Sequence, residues 1–545
     1  MIQRLFSALA ILALVLAGVG CGPPKEPAKI EEPVNYDTTI GELGEMYQYS
    51  AVPVRGYGIV AGLPGTGSSE CPPDLRAVLS TYILKNMGPD VTVDPDEFIN
   101  SLDTAVVEIY GTIPSIATKG DRFDIRVVAF SSTQTTSLAG GTLYPAELKA
   151  MAGLVRYDQF APVLGKAAGP IFIDSTDPQA SHTSAYVLGG GTVTEGVRLA
   201  IGLNKPDYIT AAAVRNRINE RFGPKIAKAV SPGEIEFVIP ERYIQEKEKF
   251  MVMLRQLYMA EDFDLRARRI DMLVEKLASG TDTLTAEYAL DAIGRPALDK
   301  LAPLLESPDP KVRFHAARCM LSIGDDRALP VLQAFIEVQD SPYRLAAIDA
   351  VGYNAKRNHA IVTLGDLLAD EDFKARFAAY EQLLRLQDIS ISRTLVADKF
   401  FIDQIARKGP PVIYVARSRA PRVVLFGAPI TCEQDIFLES GSQDIVLNAP
   451  AGAKYVSVMR KLPNHPRLVG PLIADYDISD IIRALCENPA AQNSVQLRKG
   501  LGASYSDLAD LLARMAEAGV VKATLIAGDM TAAGSFLQKT ESNDR

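Results

Sequence analysis

Thirteen residues, Arg55-Gly56-Tyr57-Gly58-Ile59-Val60-Ala61-Gly62-Leu63-Pro64-Gly65-Thr66-Gly67, hold five glycines and constrain the fold more than any other stretch of the chain. A glycine is placed where the backbone takes a positive φ or passes too close to another segment for a Cβ. The first half sets glycines among β-branched and apolar residues, and the second half is a Gly-Pro-Gly turn. This predicts a strand, or a short strand pair, ending in a tight loop. A phosphate-binding loop is the competing chemistry. It needs backbone N–H groups opening a helix and, in the Walker form, a Lys-Ser/Thr pair. Ser68-Ser69-Glu70 follow Gly67 instead, so no lysine stands where phosphates would need it. The spacing within Gly56–Gly62 also misses the dinucleotide fingerprint, which follows a strand and does not lie inside one. Gly56, Gly58, Gly62, Gly65 and Gly67 are therefore read as a structural motif that sets backbone shape.

At 545 residues the chain is too long for one core, and two to four domains are expected. Its apolar and charged fractions are those of a folded protein, and a net charge of −9 argues against nucleic-acid binding. The cysteines (Cys21, Cys71, Cys319, Cys432 and Cys486) form no C-x-x-C pair, and the histidines (His182, His315, His359 and His465) are far apart. Neither pattern has metal-ligand spacing. No metal, cofactor or catalytic residue is assigned. Cys71 has two readings: a disulfide partner in an oxidising compartment, or a separate thiol. Cys319, on a helix face, reads as a buried thiol.

Residues 1–21 read as a targeting segment. Arg4 supplies positive charge, Leu5 to Leu16 is apolar, and Ala17-Gly18-Val19-Gly20 precede Cys21. Small residues before a cysteine resemble a lipobox, which implies lipid attachment at Cys21, although Gly18 stands where leucine is usual. The alternative is an ordinary secretory signal with an incidental Cys21. Both export the chain. Residues 22–45, with Pro-Pro, Lys-Glu-Pro and Glu-Glu-Pro, read as an extended tether.

A first α+β domain is expected over 46–240. Residues 75–84 have helical spacing, closed by Gly88-Pro89. Strands are expected at 104–114 and at 121–130, where Phe123, Ile125 and Val127 alternate with Arg122, Asp124 and Arg126. Gly140-Gly141-Thr142-Leu143 then leads into a helical or irregular stretch. Another strand is expected at 168–173. Gly189-Gly190-Gly191 reads as a turn entering a strand. Thr210 is the expected cap of a helix with Val214, Ile218 and Phe222 on one face, and residues 233–240 alternate as a strand. Asp121, Asp124, Asp207 and Thr210 read as capping and surface polar groups.

Three features resemble the bacterial flagellar P-ring protein family, in the same order. They are Gly56-Tyr57-Gly58-Ile59-Val60-x-Gly62-Leu63-x-Gly65-Thr66-Gly67, the Gly-Gly-Thr-Leu and Gly-Gly-Gly motifs, and Leu203-x-x-Pro206-Asp207-Tyr208-x-Thr210-Ala211 before the Val238-x-Pro240 strand. The tail at 494–526, with Leu501-Gly502-Ala503 and Asp507-Leu508, resembles the family's C-terminal end.

Between these ends the chain changes character. Residues 241–283 read as a charged helical connector, with Arg266-Ala267-Arg268-Arg269 on a solvated face. Residues 284–387 repeat: Lys311-Val312-Arg313-Phe314-His315-Ala316-Ala317 recurs around Arg344 and Arg376, each after an Asp/Pro turn. This resembles the HEAT-repeat family, and a solenoid is assigned to 284–405. Arg313, Arg344 and Arg376 either hydrogen-bond neighbouring repeats, the preferred reading, or bind a ligand. A small β domain at 410–470, an α/β tail at 471–530 and a polar tail at 531–545 complete the expected domains.

The expected fold class is α+β multidomain, with P-ring-like β-rich domains and an inserted HEAT-like solenoid. The resemblance implies a structural, non-enzymatic subunit of a homo-oligomeric ring around the flagellar rod, in the periplasm near peptidoglycan. A Cys21 lipid would hold it to the outer membrane. The alternative is a lipid-anchored periplasmic scaffold that reuses the fold and binds a protein through its repeats.

Overall fold

The computed structural model describes residues 38–47, 51–86, 94–151, 162–174, 180–260, 262–280, 282–461, 468–489 and 500–528. The targeting segment with Cys21, the tether to residue 37, Gly88-Pro89, Glu261, Ser494 to Lys499 and the polar tail lie outside the described residues.

The tether, expected to run to residue 45, gives way earlier to folded chain. A short helix α1 (Ile40–Leu43) leads into β1 (Gly44–Tyr47). The glycine stretch then forms β2 (Val52–Ala61), one continuous strand and not a pair. Two helices, α2 (Pro73–Asn86) and α3 (Pro95–Ile99), separate it from β3 (Thr104–Ile113) and β4 (Arg122–Ala129). Next come β5 (Thr142–Ala150), β6 (Val163–Pro170) and β7 (Ser184–Val193). These strands close an antiparallel barrel in the order β2-β3-β4-β7-β6-β5, with β5 pairing back to β2. The β4 side chains alternate between exterior and core as expected, with Phe123, Ile125 and Val127 inside. Outside the barrel, Leu75, Leu79 and Ile83 of α2 and Ile99 of α3 cover Ile59 and Val106.

Two expectations fail here. Residues 142–150 are strand, because barrel closure requires a ladder between β2 and β6 that overrides the local helix formers. Gly189, Gly190 and Gly191 lie inside β7 and are not a turn before it. At Gly191 the cause is Phe123, since a Cβ on Gly111 or Gly191 would come within 2.8 or 2.5 Å of its ring; Gly190 instead faces Val187, and Gly189 has a φ of +57°. One aromatic ring fills this part of the narrow barrel, and glycines make the room.

A second layer follows: β8 (Leu199–Leu203), α4 (Tyr208–Phe222), β9 (Ala227–Ser231), β10 (Glu234–Phe237) and α5 (Lys247–Arg255). The sheet runs β1-β8-β10-β9, and its inner face packs Ile201, Ile235 and Phe237 with Val214 and Ile218 of α4. Asp207, not Thr210, is the cap of α4; its carboxylate accepts from the Thr210 N–H at 2.7 Å. Residues 247–255, expected as part of a charged helical connector with one apolar stripe, form a helix packed into the domain core. Phe250, Met251, Met253 and Leu254 of α5 are buried in this same core.

The helical region comprises α6 (Phe263–Ala278), α7 (Thr283–Ile293), α8 (Leu298–Leu301), α9 (Pro310–Ile323), α10 (Leu329–Glu337), α11 (Arg344–Asn354), α12 (Arg357–Gly365) and α13 (Phe373–Arg385). The repeated aspartates are helix caps: Asp309 accepts from the Lys311 N–H at 2.8 Å, and Asp372 from the Lys374 N–H at 2.9 Å. In the basic run, Arg269 is buried, stacked over Tyr258 and bonded to the Ala260 carbonyl.

Strands resume at β11 (Ile391–Val396) and β12 (Phe400–Ile405), inside the range assigned to the solenoid. After β13 (Val412–Ala416) and β14 (Arg422–Phe426) come β15 (Ile436–Glu439), β16 (Ile445–Ala449), β17 (Val456–Lys461) and β18 (Leu468–Ala474). The chain ends with α14 (Ile478–Cys486), α15 (Tyr505–Glu517) and β19 (Thr524–Gly528). The expected 410–470 domain is thus split between two sheets, one ordered β11-β12-β14-β13-β19 and the other β15-β16-β17-β18. The first sheet divides two cores. One face continues the solenoid core, and the other packs on α14 and α15.

Candidate functional site

The five motif glycines serve two physical needs. Gly56 and Gly58 sit in β2 where the closing strand crosses. A Cβ on Gly56 would collide with the Glu147 carbonyl, and one on Gly58 would stand 2.9 Å from Ile109 Cδ1 and 3.2 Å from Leu143. Gly67 packs so tightly on the Thr104 carbonyl that a side chain would overlap it, while its N–H donates to the Leu102 carbonyl at 2.8 Å. Gly62 and Gly65 have φ of +78° and +75°, which turn the chain out of the strand. The Gly65 N–H meets the Asp103 carboxylate at 3.1 Å, not a phosphate. The motif is a backbone device that lets β2 enter and leave a crowded barrel.

The repeat arginines do not converge. Arg313 donates to the Ser307 and Pro308 carbonyls of its own preceding turn, at 2.7 and 3.1 Å. Arg344 donates to the Ile336 carbonyl at 2.8 Å and meets Asp370 of the next turn at 2.5 Å. Arg376, buried, donates to the Pro410 carbonyl at 2.6 Å. Each ties a helix to a turn. Cys71, Cys319, Cys432 and Cys486 are free thiols, with Cys319 buried and Cys71 half-buried. Among the described residues, no cluster of three His, Cys, Asp or Glu could hold a metal ion.

The strongest electrostatics lie in a buried chain of charges that the sequence reading missed. Glu287 of α7, fully buried, receives His315 Nδ1 at 2.7 Å and both Nε and Nη2 of Arg318, at 2.6 and 2.5 Å. Burial opposes its ionisation, but the Arg318 charge and the His315 bond overcome that and hold it at about 2. One turn on, Asp291 accepts from Ser322 at 2.6 Å and pairs with Lys249 of α5 at 2.9 Å. Burial works against the Lys249 charge as well, and Asp291, Glu246 and Glu287 together raise its pKa. Asp349 of α11 contrasts with these. Gln382 donates to its Oδ1 at 2.8 Å, its Oδ2 has no partner, and burial pushes it up to about 7. A sign was visible in the sequence: Glu287 and Arg318 interrupt apolar helical faces where a charge survives only if paired.

Residues 39–270 match the family model described as flagellar P-ring protein, and residues 270–352 match the model described as HEAT repeats. The matched P-ring family is structural and not enzymatic. Relatives give the same picture. The chain is 32% identical over 199 residues to flagellar P-ring protein 1 of Hahella chejuensis, covering 34% of this chain and 50% of that one. It is 29% identical over 222 residues to the flagellar P-ring protein of Fervidobacterium nodosum, covering 38% of this chain and 62% of that one. With the flagellar P-ring protein of Geotalea uraniireducens the identity is 26% over 321 residues, covering 54% of this chain and 82% of that one. The chain thus spans about half to three fifths of the length of the first two. The P-ring match runs to residue 270, past the expected 240, and so takes in α5, which completes the core of that domain. Both family models stop short of the 494–526 tail.

Proposed function

We propose that this protein is a structural subunit of a P-ring-like homo-oligomer around the flagellar rod, in the periplasm near peptidoglycan. The observation that carries the proposal is the continuous P-ring match over residues 39–270, which spans the glycine motif, the whole barrel and its companion sheet. A ring of identical subunits needs a rigid unit with two unlike contact surfaces. The glycine motif, in this proposal, sets the shape of that unit. The export segment delivers the chain, and a lipid on Cys21 holds it to the outer membrane. Basal bodies isolated from the source cell should contain the chain, and electron microscopy of them should show a ring with helical lobes. Basal bodies that lack the chain would overturn the flagellar assignment. A Cys21→Ser variant should leave the membrane fraction; continued partition with membranes would overturn the anchor.

A second proposal, a lipid-anchored scaffold that binds a partner protein through its repeats, draws on the HEAT match at 270–352. It predicts a monomer on size exclusion and a partner lost when the exposed faces of α10 and α12 are recharged.

A further inference from the structure

Three junctions close this chain on itself. At the first, Arg221 of α4 donates to the Asp291 and Ala292 carbonyls at the end of α7, at 2.7 and 2.5 Å. Lys249 reaches the Asp291 carboxylate there, and Arg242 bonds the Ser322 carbonyl of α9. At the second, the solenoid core passes without a break into the five-stranded sheet. Phe377 and Tyr380 of α13 pack on Tyr414 and Phe426, and the Tyr380 hydroxyl donates to the buried Asp403 at 2.5 Å. At the third, the turn between β13 and β14 comes back to the barrel. The Arg419 N–H donates to the Asp124 carboxylate at 2.8 and 3.0 Å, and Arg417 pairs with Asp174 at 3.0 Å. Ser506 Oγ accepts from the Ile173 N–H at 3.0 Å, while Phe172 and Leu188 of the barrel region are buried in the C-terminal core. Gly189 makes that return possible, because a Cβ there would lie 2.6 Å from the Arg419 carbonyl.

We propose that the helical repeats are an internal brace, which fixes the C-terminal sheets against the barrel so that barrel, solenoid and sheets behave as one piece. An arm that projects from a domain is held at one end. This solenoid is held at both, by charged and hydrogen-bonded contacts at one end and a shared apolar core at the other. Asp124 and Gly189, otherwise an ordinary surface acid and one of three glycines, become the clasp that closes the circuit. With two junctions made, the third forms intramolecularly, at a high effective concentration set by the rigid spacing. Breaking one junction therefore weakens the others, even where no atom is shared. The inference stands apart from the flagellar proposal, since it concerns one chain alone.

Hydrogen exchange on the full chain tests it. Asp124→Ala removes the acceptor for the Arg419 and Gly189 N–H groups. Exchange should rise at the clasp, in 184–193 and 417–422. It should also rise tenfold or more at the distant first junction, in 247–255 and 286–293. Ser506→Ala, a milder cut of the same junction, should give the same pattern more weakly. From the other side, Arg242→Ala should speed exchange at 417–422. Faster exchange confined to the mutated junction in all three variants would overturn the brace and leave an appended arm.

Discussion

The barrel and the solenoid bury their interiors by opposite means. The barrel interior is apolar side chains around Phe123, with Gly111 and Gly191 facing the ring and almost no charge. The helical interior and its junctions bury Lys249, Glu287, Asp291, His315, Arg344, Asp349, Arg376 and Asp403. A sheet closed on itself satisfies its backbone by pairing and leaves only a problem of space. A stack of helix pairs must also fix the register of each pair against the next, and matched charges do so without changing the packing. The lesson is that damage to the barrel should be steric and insensitive to pH, while damage to the solenoid should be electrostatic and pH-dependent.

Removing one partner of a buried charge group leaves the others uncompensated, which costs about 3–5 kcal/mol. Glu287→Ala strands Arg318 and His315 and should have the largest effect, read as a lowered urea midpoint at pH 7. The sign with pH follows from a folded-state carboxyl at about 2 against an ordinary 4.5. The contribution of Glu287 is whole above pH 4.5 and is lost as pH falls from 4.5 towards 2. Wild type and variant should therefore converge on acidification. A gap that stays constant down to pH 2 would break the comparison.

Gly67→Ala is the steric counterpart. Its Cβ would overlap the Thr104 carbonyl, a backbone atom that cannot turn away. Overpacking of this kind costs about 3 kcal/mol. The same loss should appear at pH 4 and pH 8, since neither residue titrates, and a pH-dependent loss would contradict the steric account.

Asp349 sharpens the contrast from the destabilised side. Burial lifts its carboxyl to about 7 from 3.8, against the bond from Gln382. Below pH 3.8 it holds a proton in both states. Between pH 3.8 and 7 the folded chain keeps a proton that the unfolded chain has released, so stability falls as pH rises through that window. Asp349→Asn should be about 4 kcal/mol more stable than wild type at pH 8 and indistinguishable at pH 3.5, by thermal melts at both. A variant less stable at pH 8 would mean that the carboxylate has a stabilising partner.

Much of this was legible in the sequence, and the failures have physical causes. The alternation of residues 122–129 named a half-buried strand because one face meets the barrel core and the other does not. Repeating Asp and Arg positions exposed the solenoid because two of its repeats, at Asp309 and Asp372, cap their first helix in the same way. Residues 142–150 were misread because Pro145, Ala146, Glu147 and Leu148 carry no strand preference, and only the closing of the barrel makes them one. Gly189 to Gly191 looked like a turn because two of the groups that require them, the Phe123 ring against Gly191 and the Arg419 carbonyl against Gly189, are more than sixty residues away in sequence. The Glu287 and Asp291 networks stayed hidden for the same reason: their partners lie on other helices, about thirty residues off in α9 and about forty in α5.

The smallest expected effect tests whether the barrel glycines act by space or by backbone angle. Gly62 has nothing within 4 Å of where a Cβ would stand, but its φ is +78°. An alanine there meets only the left-handed backbone penalty, about 1 kcal/mol. Asparagine, which tolerates that region, should cost less than alanine. At Gly58 the order should reverse, because the limit is the 2.9 Å approach of Ile109 and asparagine is the larger side chain. Four urea titrations decide it: alanine worse than asparagine at 62, asparagine worse than alanine at 58. The same order at both positions would mean that a single cause, and not two, placed these glycines.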